Sequence, residues 1–281
     1  MVSRTYYRFE MKIIYDLGAN NGDDIPYYLL KADVVVAVEA NPKLCELIHK
    51  RFQAEIASGR LIVENCAVAA EGESGPVDFY IHRKNHVLSQ LPEPEPERAH
   101  LFDKVPLLSK TIAEIIAAHG HPYYVKIDLE RYDTPILKAL FREGITPPYL
   151  SAEAHSLDVF ALMVVQGGYD AFKLVNGFTV SMAYSRRWIT DLHGKRVRYS
   201  FPFHSAGPFG NDVDGEWMTA DNFLRALAHA GLGWRDIHAT KIESADPLAS
   251  QRVRDYLFRF PKSFYSTIAS RLKYKWSPRK S

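Results

Sequence analysis

Two short runs of aliphatic and β-branched residues stand near the start of the chain, Lys12–Leu17 (KIIYDL) and Val34–Glu39 (VVVAVE). Their low polarity suits strands buried on both faces. Between them Asp23–Leu30 has room for a helix, with Pro26 tolerable in its first turn. Asn41 before Pro42 makes an N-cap and first-turn pair that opens a second helix through Phe52. Leu61–Val68 predicts a third strand, and Pro76–Ile81 alternates enough to be another. A helix over Thr111–His119 is closed by Gly120, and Tyr123–Ile127 (YYVKI) follows as a fourth core strand. The rhythm continues with a helix over Thr134–Arg142 ending at Gly144, a fifth strand at Tyr149–Ala154, a helix at Leu157–Gln166 and a sixth strand at Ala171–Val175. Strands separated by helices predict a mostly parallel sheet with right-handed crossovers, a doubly wound, Rossmann-like α/β fold. Residues 1–180 are assigned to this domain and 181–281 to an irregular C-terminal extension.

Two segments break the rhythm. Leu91–Glu97 (LPEPEPE) cannot be regular, because its prolines remove donors and favour extended backbone. It is expected within a mobile surface loop from His82 to Lys104. The stretch Ser181–Gly215 is rich in aromatic, basic and glycine residues and shows no clear period.

With 281 residues, 47% hydrophobic and 24% charged, the chain has the composition of a folded globular protein, not a disordered one. Its longest apolar run, Val159 to Val165, is far short of the roughly 18 residues a membrane span requires. Arg4, Arg8 and Glu10 occupy the stretch a signal peptide would keep apolar. Two cysteines, Cys45 and Cys66, make no disulfide framework, so a cytoplasmic location is the expectation. Charge is unevenly placed. Residues 251–281 hold nine basic side chains against Asp255, a net +8, so residues 1–250 carry −6 of the overall +2. An acidic body argues against nucleic acid as a partner.

In an open α/β sheet the ligand sits beyond the C-terminal strand ends, where strand order reverses. The loop after the first strand reads Asp16-Leu17-Gly18-Ala19-Asn20-Asn21-Gly22-Asp23-Asp24. Gly18 allows a tight turn, and Asn20 tolerates the left-handed conformation. Glu39, at the end of the second strand, is placed to accept hydrogen bonds from ribose hydroxyls. A dinucleotide loop sets a pyrophosphate on helix amides. Here Asp16, Asp23 and Asp24 would repel it, whereas S-adenosyl-L-methionine, with a sulfonium and an ammonium, suits them.

Three motifs now stand in order: Asp16–Gly22 (DLGANNG), Glu39-Ala40-Asn41-Pro42, and Lys126-Ile127-Asp128-Leu129-Glu130. Together they resemble the FkbM-type S-adenosylmethionine-dependent methyltransferases over about residues 12–175. The resemblance implies a class I methyltransferase fold and S-adenosyl-L-methionine as cofactor. It also implies that Asp16, Gly18 and Asn20 line the methionine end, Glu39 holds the ribose, and Cys66 and Ala67 lie near adenine. The family's glycine after Glu130 is replaced by Arg131, which is expected to change or close the pocket.

An alcohol acceptor must lose a proton as it attacks, and a carboxylate or histidine within reach can take it. Asp128 is the candidate base, Lys126 its partner on the same strand face, and Glu130 continues the alternation. Glu153 and His155 form a second group, with His155 an alternative base. An oxygen-rich metal site there has no supporting motif, and no metal is expected. Asn176, Gly177 and the stretch Phe178–Trp188, with Arg186 and Arg187, are expected to wall an acceptor pocket for a small molecule or glycan. His82, His86 and His204 are further candidates for contact with substrate. The expected reaction is O-methyl transfer; a non-catalytic nucleoside-binding protein or an NAD-dependent oxidoreductase are the alternatives. The basic, aromatic tail at 251–281 suits peripheral contact with an anionic membrane. Pro261 and Pro278 favour instead a short helix packed on the acidic body.

Overall fold

The first hydrophobic run becomes the central strand β1 (Ile13–Leu17), buried on both sides. Alternate residues feed two cores: Ile13, Tyr15 and Leu17 join one, Ile14 the other. The computed structural model describes residues 11–70, 74–85, 88–91 and 93–249. The tail at 251–281, His86 and Pro92 lie outside the described residues.

From β1 the chain crosses through α1 (Ile25–Lys31) to β2 (Val34–Val38), then through α2 (Pro42–Arg51) and α3 (Gln53–Ala57) to β3 (Leu61–Glu64). It then leaves the main sheet. A small three-stranded sheet, ordered β4-β6-β5, is built from β4 (Ala67–Ala69), β5 (Gly75–His82) and β6 (Phe102–Thr111). Helix α4 (Ile112–His119) returns the chain to β7 (Tyr124–Ile127), on the other side of β1. Helix α5 (Asp133–Arg142), β8 (Tyr149–Glu153), α6 (Leu157–Val165) and β9 (Ala171–Asn176) follow. The reversal of order between β1 and β7 is the topological switch point.

The helix signals at Asn41–Pro42 and Gly120 behave as the sequence predicts. Asn41 caps α2 by accepting from the Lys43 amide, and Pro42 sits in the first turn. Thr111 and Glu114 form a reciprocal capping box on α4, which ends at Gly120 with φ of 107°.

Three features differ from the sequence reading. The predicted third strand splits at Asn65, whose side-chain amide donates to the carbonyls of Glu39 and Ala40 and so pins the end of β2. The predicted loop from His82 to Lys104 is shorter, because Phe102–Thr111 pairs antiparallel along the whole of β5. Pro106 is accepted there because β4 reaches only Ser109–Thr111, leaving β6 an edge strand at that point.

The third difference concerns the extension. After α7 (Val180–Ala183) and the hairpin β10 (Arg187–Thr190) and β11 (Arg196–Tyr199), the chain re-enters the main sheet. Strand β12 (Met218–Thr219) pairs antiparallel with β9, and α8 (Ala220–Ala230) leads to β13 (Arg235–Thr240). β13 runs antiparallel between β8 and β9, giving the order β12-β9-β13-β8-β7-β1-β2-β3. The expected division at residue 180 therefore falls between strands of one sheet. Packing agrees: Phe209 stacks on Tyr124 at 4.0 Å, and the Tyr27 hydroxyl donates to Asp212 at 2.8 Å. β13 escaped the sequence reading because Asp236 and His238 interrupt its apolar run, although both are buried.

Candidate active site

A cavity of about 360 Å³ opens at the C-terminal ends of β1, β2, β7 and β8. The turn after β1 forms its floor. Gly18 has φ of 84°, and a Cβ there would lie 2.0 Å from the carbonyl oxygen of Asp128. The glycine thus lets the turn after β1 pack directly on the turn after β7. Asn20 takes the left-handed conformation with φ of 50°, as its residue type allows. Its Oδ1 is buried without a donor.

Glu39 is buried beside this turn and lines the cavity. Its two oxygens accept from the amides of Asn20 and Asn41, each at 2.7 Å. Burial pushes its carboxyl up to about 7 despite those bonds. Each oxygen keeps a second lone pair, enough for a pair of hydroxyls. Gly18, Asn20, Glu39, Cys66 and Ala67 all border the same cavity, as does Val68. Burial raises the Cys66 thiol to about 11, so it acts as apolar lining.

Asp16 is placed differently from the expectation. It is fully buried beneath the loop, does not border the cavity, and lies 3.2 Å from the Lys126 ammonium. Lys126 is also buried. It donates to the Gly18 carbonyl at 3.0 Å and stands 3.4 Å from Asp128. Burial opposes its charge, but Asp16, Asp128, Asp24 and Asp236 outweigh that and hold its pKa well above the ordinary lysine value. Lys126 therefore ties the turns after β1 and β7 together and is not positioned to meet an alkoxide. Neither residue's depth is visible in sequence, since strand alternation gives the face but not how far the loop folds over it.

Asp128 and Glu130 do line the cavity, joined by Glu153, Tyr132, His204 and Trp234. Burial first, then the nearby Asp128 charge, pushes Glu153 up to about 8. Glu153 lies within hydrogen-bonding reach of Asp128, and that contact favours its neutral form. Glu130 is raised to about 8 by the same causes, and Asp133 behind it to about 7. His155 does not border the cavity; its Nε2 lies 2.9 Å from Glu153. Among the described residues no three His, Cys, Asp or Glu side chains are grouped so as to hold a metal ion.

The acids of the first loop divide their work. Asp23 pairs with Arg51 at 3.0 Å. Asp24 does not cap α1; it accepts from the Ser205 hydroxyl and, at 3.0 Å, from the Ala206 amide. The start of α1, where a pyrophosphate would dock, is thereby turned to a loop of the chain itself.

The acceptor wall expected from Phe178–Trp188 lies elsewhere. Arg187 pairs with Asp214, and Trp188 is 57% exposed between Arg196 and Arg198 on the hairpin's outer face. The wall comes instead from His204 and Trp234, with Leu88–Leu91 as a roof held by paired backbone bonds between Tyr80 and Gln90. His82 does not border the cavity. The roof had one readable signal, the aliphatic residues Leu88 and Leu91 just ahead of the Pro-Glu repeat.

Arg131 does not close the cavity. Its side chain is exposed, and it holds φ of 77° in the left-handed region. A glycine would relax that backbone, so Arg131→Gly is expected to raise stability by about 1 kcal/mol. Urea unfolding of the two proteins measures it.

No family model and no curated protein matches the sequence. Among solved structures, the chain is similar to the methyltransferase FkbM from Methylobacillus flagellatus KT (16% identity, TM-score 0.40), over 59% of this chain and 40% of that one. It is also similar to the C-terminal domain of precorrin-6Y C5,15-methyltransferase from Rhodobacter capsulatus (10%, TM-score 0.36), over 82% and 79%. A third is the precorrin 8W decarboxylase of Methanobacterium thermoautotrophicum (9%, TM-score 0.38), over 83% and 82%. These similarities are distant, and the sheet and cavity themselves carry the functional reading.

Proposed function

We propose that this chain is an S-adenosyl-L-methionine-dependent methyltransferase acting on a hydroxyl of a small molecule or glycan. One observation carries the reading: Glu39, at the end of β2, turns a buried carboxylate to a cavity floored by Gly18 at the switch point. The residues fit the cofactor. Glu39 has free lone pairs for ribose hydroxyls, and the orphaned Asn20 Oδ1 suits an ammonium donor. Cys66, Ala67 and Val68 offer an apolar slot for a flat ring.

When bound, S-adenosyl-L-methionine supplies an electrophilic methyl group on a cationic sulfur. The chain's own part is positioning and proton transfer. Asp128 is held between the Lys126 ammonium and the Glu153 carboxyl, on the cavity wall. A hydroxyl placed against Asp128 gives up its proton there as its oxygen attacks. Lys126 acts through Asp128 and the Gly18 carbonyl, as a positioning residue.

An NAD-dependent oxidoreductase fits less well. The start of α1, where a pyrophosphate would dock, is turned to Ser205 and Ala206. Isothermal calorimetry with S-adenosylmethionine, S-adenosylhomocysteine and NAD tests the assignment: the first two should bind and NAD should not. Tight NAD binding without the others overturns it. Asp128→Asn should keep cofactor affinity while lowering turnover by about 10²–10⁴-fold, read with labelled methyl donor. Unchanged turnover removes Asp128 from the reaction.

A further inference from the structure

The hairpin of β10 and β11 is fastened to the body by one face only. Ile189, Val197 and Tyr199 turn inward to the core that α1 also joins. Leu192 donates its amide to the Leu30 carbonyl at 2.7 Å, and the Lys31 ammonium donates to the Thr190 carbonyl at 2.6 Å. Trp188, Arg196 and Arg198 turn outward and are exposed, as strand alternation requires. The methyl-transfer site makes no use of them, since none borders the cavity. We infer that this outer face docks the protein on an anionic phospholipid bilayer. The Trp188 indole enters the headgroup layer, and the surrounding guanidinium groups meet lipid phosphates.

Charge is concentrated here against the trend of the body. Residues 186–199 hold five basic side chains against Asp191, a net +4, within residues 1–250 that carry −6. The neighbouring acids are already engaged. Asp191 accepts from the amides of His193 and Lys195, Asp214 pairs with Arg187, and Asp212 pairs with Lys31. Among the described residues no carboxylate pairs with Arg186, Lys195, Arg196 or Arg198, and all four are exposed. An anionic surface supplies the counter-charge, and each cation held against it strengthens binding about fivefold.

The aromatic residue selects the kind of anionic surface. Trp188 is 57% exposed, and the guanidinium groups of Arg196 and Arg198 lie 5.2 and 5.8 Å from its ring centroid. A nucleobase would have to compete with both for the ring. A bilayer accepts an indole flanked by cations as it stands, because the headgroup layer is apolar on one side and anionic on the other. Phe203, 55% exposed and four residues beyond β11, adds a second exposed ring. Each strand is four residues long, about 13 Å, which covers a few headgroups but gives a nucleic-acid strand a short track.

Co-sedimentation of the full chain with phosphatidylcholine vesicles, with and without phosphatidylglycerol, tests this. Binding should need the anionic lipid and weaken as salt is added. Arg196→Glu and Arg198→Glu together should weaken it by at least about tenfold. Tryptophan emission identifies the segment that enters the headgroups. Anionic vesicles should shift it to the blue in the wild type and in Trp276→Phe, whose change lies in the basic tail, and most of that shift should be lost in Trp188→Phe. No binding to anionic vesicles, unchanged binding by the double arginine variant, or a shift that survives in Trp188→Phe overturns the inference. Tighter binding to poly(U) than to the vesicles overturns it as well. None of these outcomes depends on whether the chain transfers methyl groups.

Discussion

Gly18→Ala should abolish cofactor binding and weaken the whole fold. The added methyl would be driven into the carbonyl of Asp128, a backbone atom with no rotamer of escape. The left-handed backbone costs any residue with a Cβ about 1–2 kcal/mol. Parting the turns after β1 and β7 adds about 1–3 kcal/mol, as overpacking of a filled interior does. Separation would also lengthen the Lys126 bond to the Gly18 carbonyl, which ties the same two turns. The expected result is no detectable heat with S-adenosylmethionine and a clearly lower melting temperature. Near-normal affinity would mean the cavity floor is not where the ligand rests.

The second large effect is at Glu39. Glu39→Ala removes the acceptor for two buried amides, at Asn20 and Asn41, and for the nucleoside hydroxyls. Losing charge-assisted bonds to those hydroxyls weakens binding by about 3 kcal/mol, or roughly 100-fold. Glu39→Gln is the sharper probe. Its one oxygen can serve only one amide, and its NH₂ group faces the other. It should lose nearly as much affinity while keeping the side chain's volume. The pH dependence has a definite sign. Burial raises the Glu39 carboxyl to about 7, so its better-accepting charged form fades as pH falls. Affinity should drop by up to about tenfold between pH 8 and pH 6. The Gln variant should show none of that contribution. Equal affinity of all three proteins in calorimetry would remove Glu39 from the site.

What could be read from the chain, and what could not, follows from the range of the interactions. The Asn41–Pro42 cap is local and is found where its residue types place it; Thr111, expected as the first helical residue, is the N-cap of α4 instead. Gly18 and Asn20, whose backbone demands are their own, are also found where expected. Glu39 needed only the length of a strand to be placed. Asp16 and His155 missed the cavity because their depth depends on neighbours distant in sequence. His204 stands among several histidines, and nothing local marks it as the one that lines the cavity. Trp234 stands at the head of a strand whose pairing partners, β8 and β9, lie dozens of residues earlier. Trp188 and its arginines looked like pocket lining by composition, and the hairpin register puts them outside instead.

The late insertion of β13 also sets an order of events during synthesis. While the ribosome is still making residues beyond β9, strands β8 and β9 flank a gap that no earlier part of the chain fills. Two unsatisfied edges are then exposed at once, an opening for a strand from another nascent molecule. Trp234 arrives in the same stroke as the missing strand. One late segment thus supplies both the strand that closes the sheet and the indole that walls the cavity.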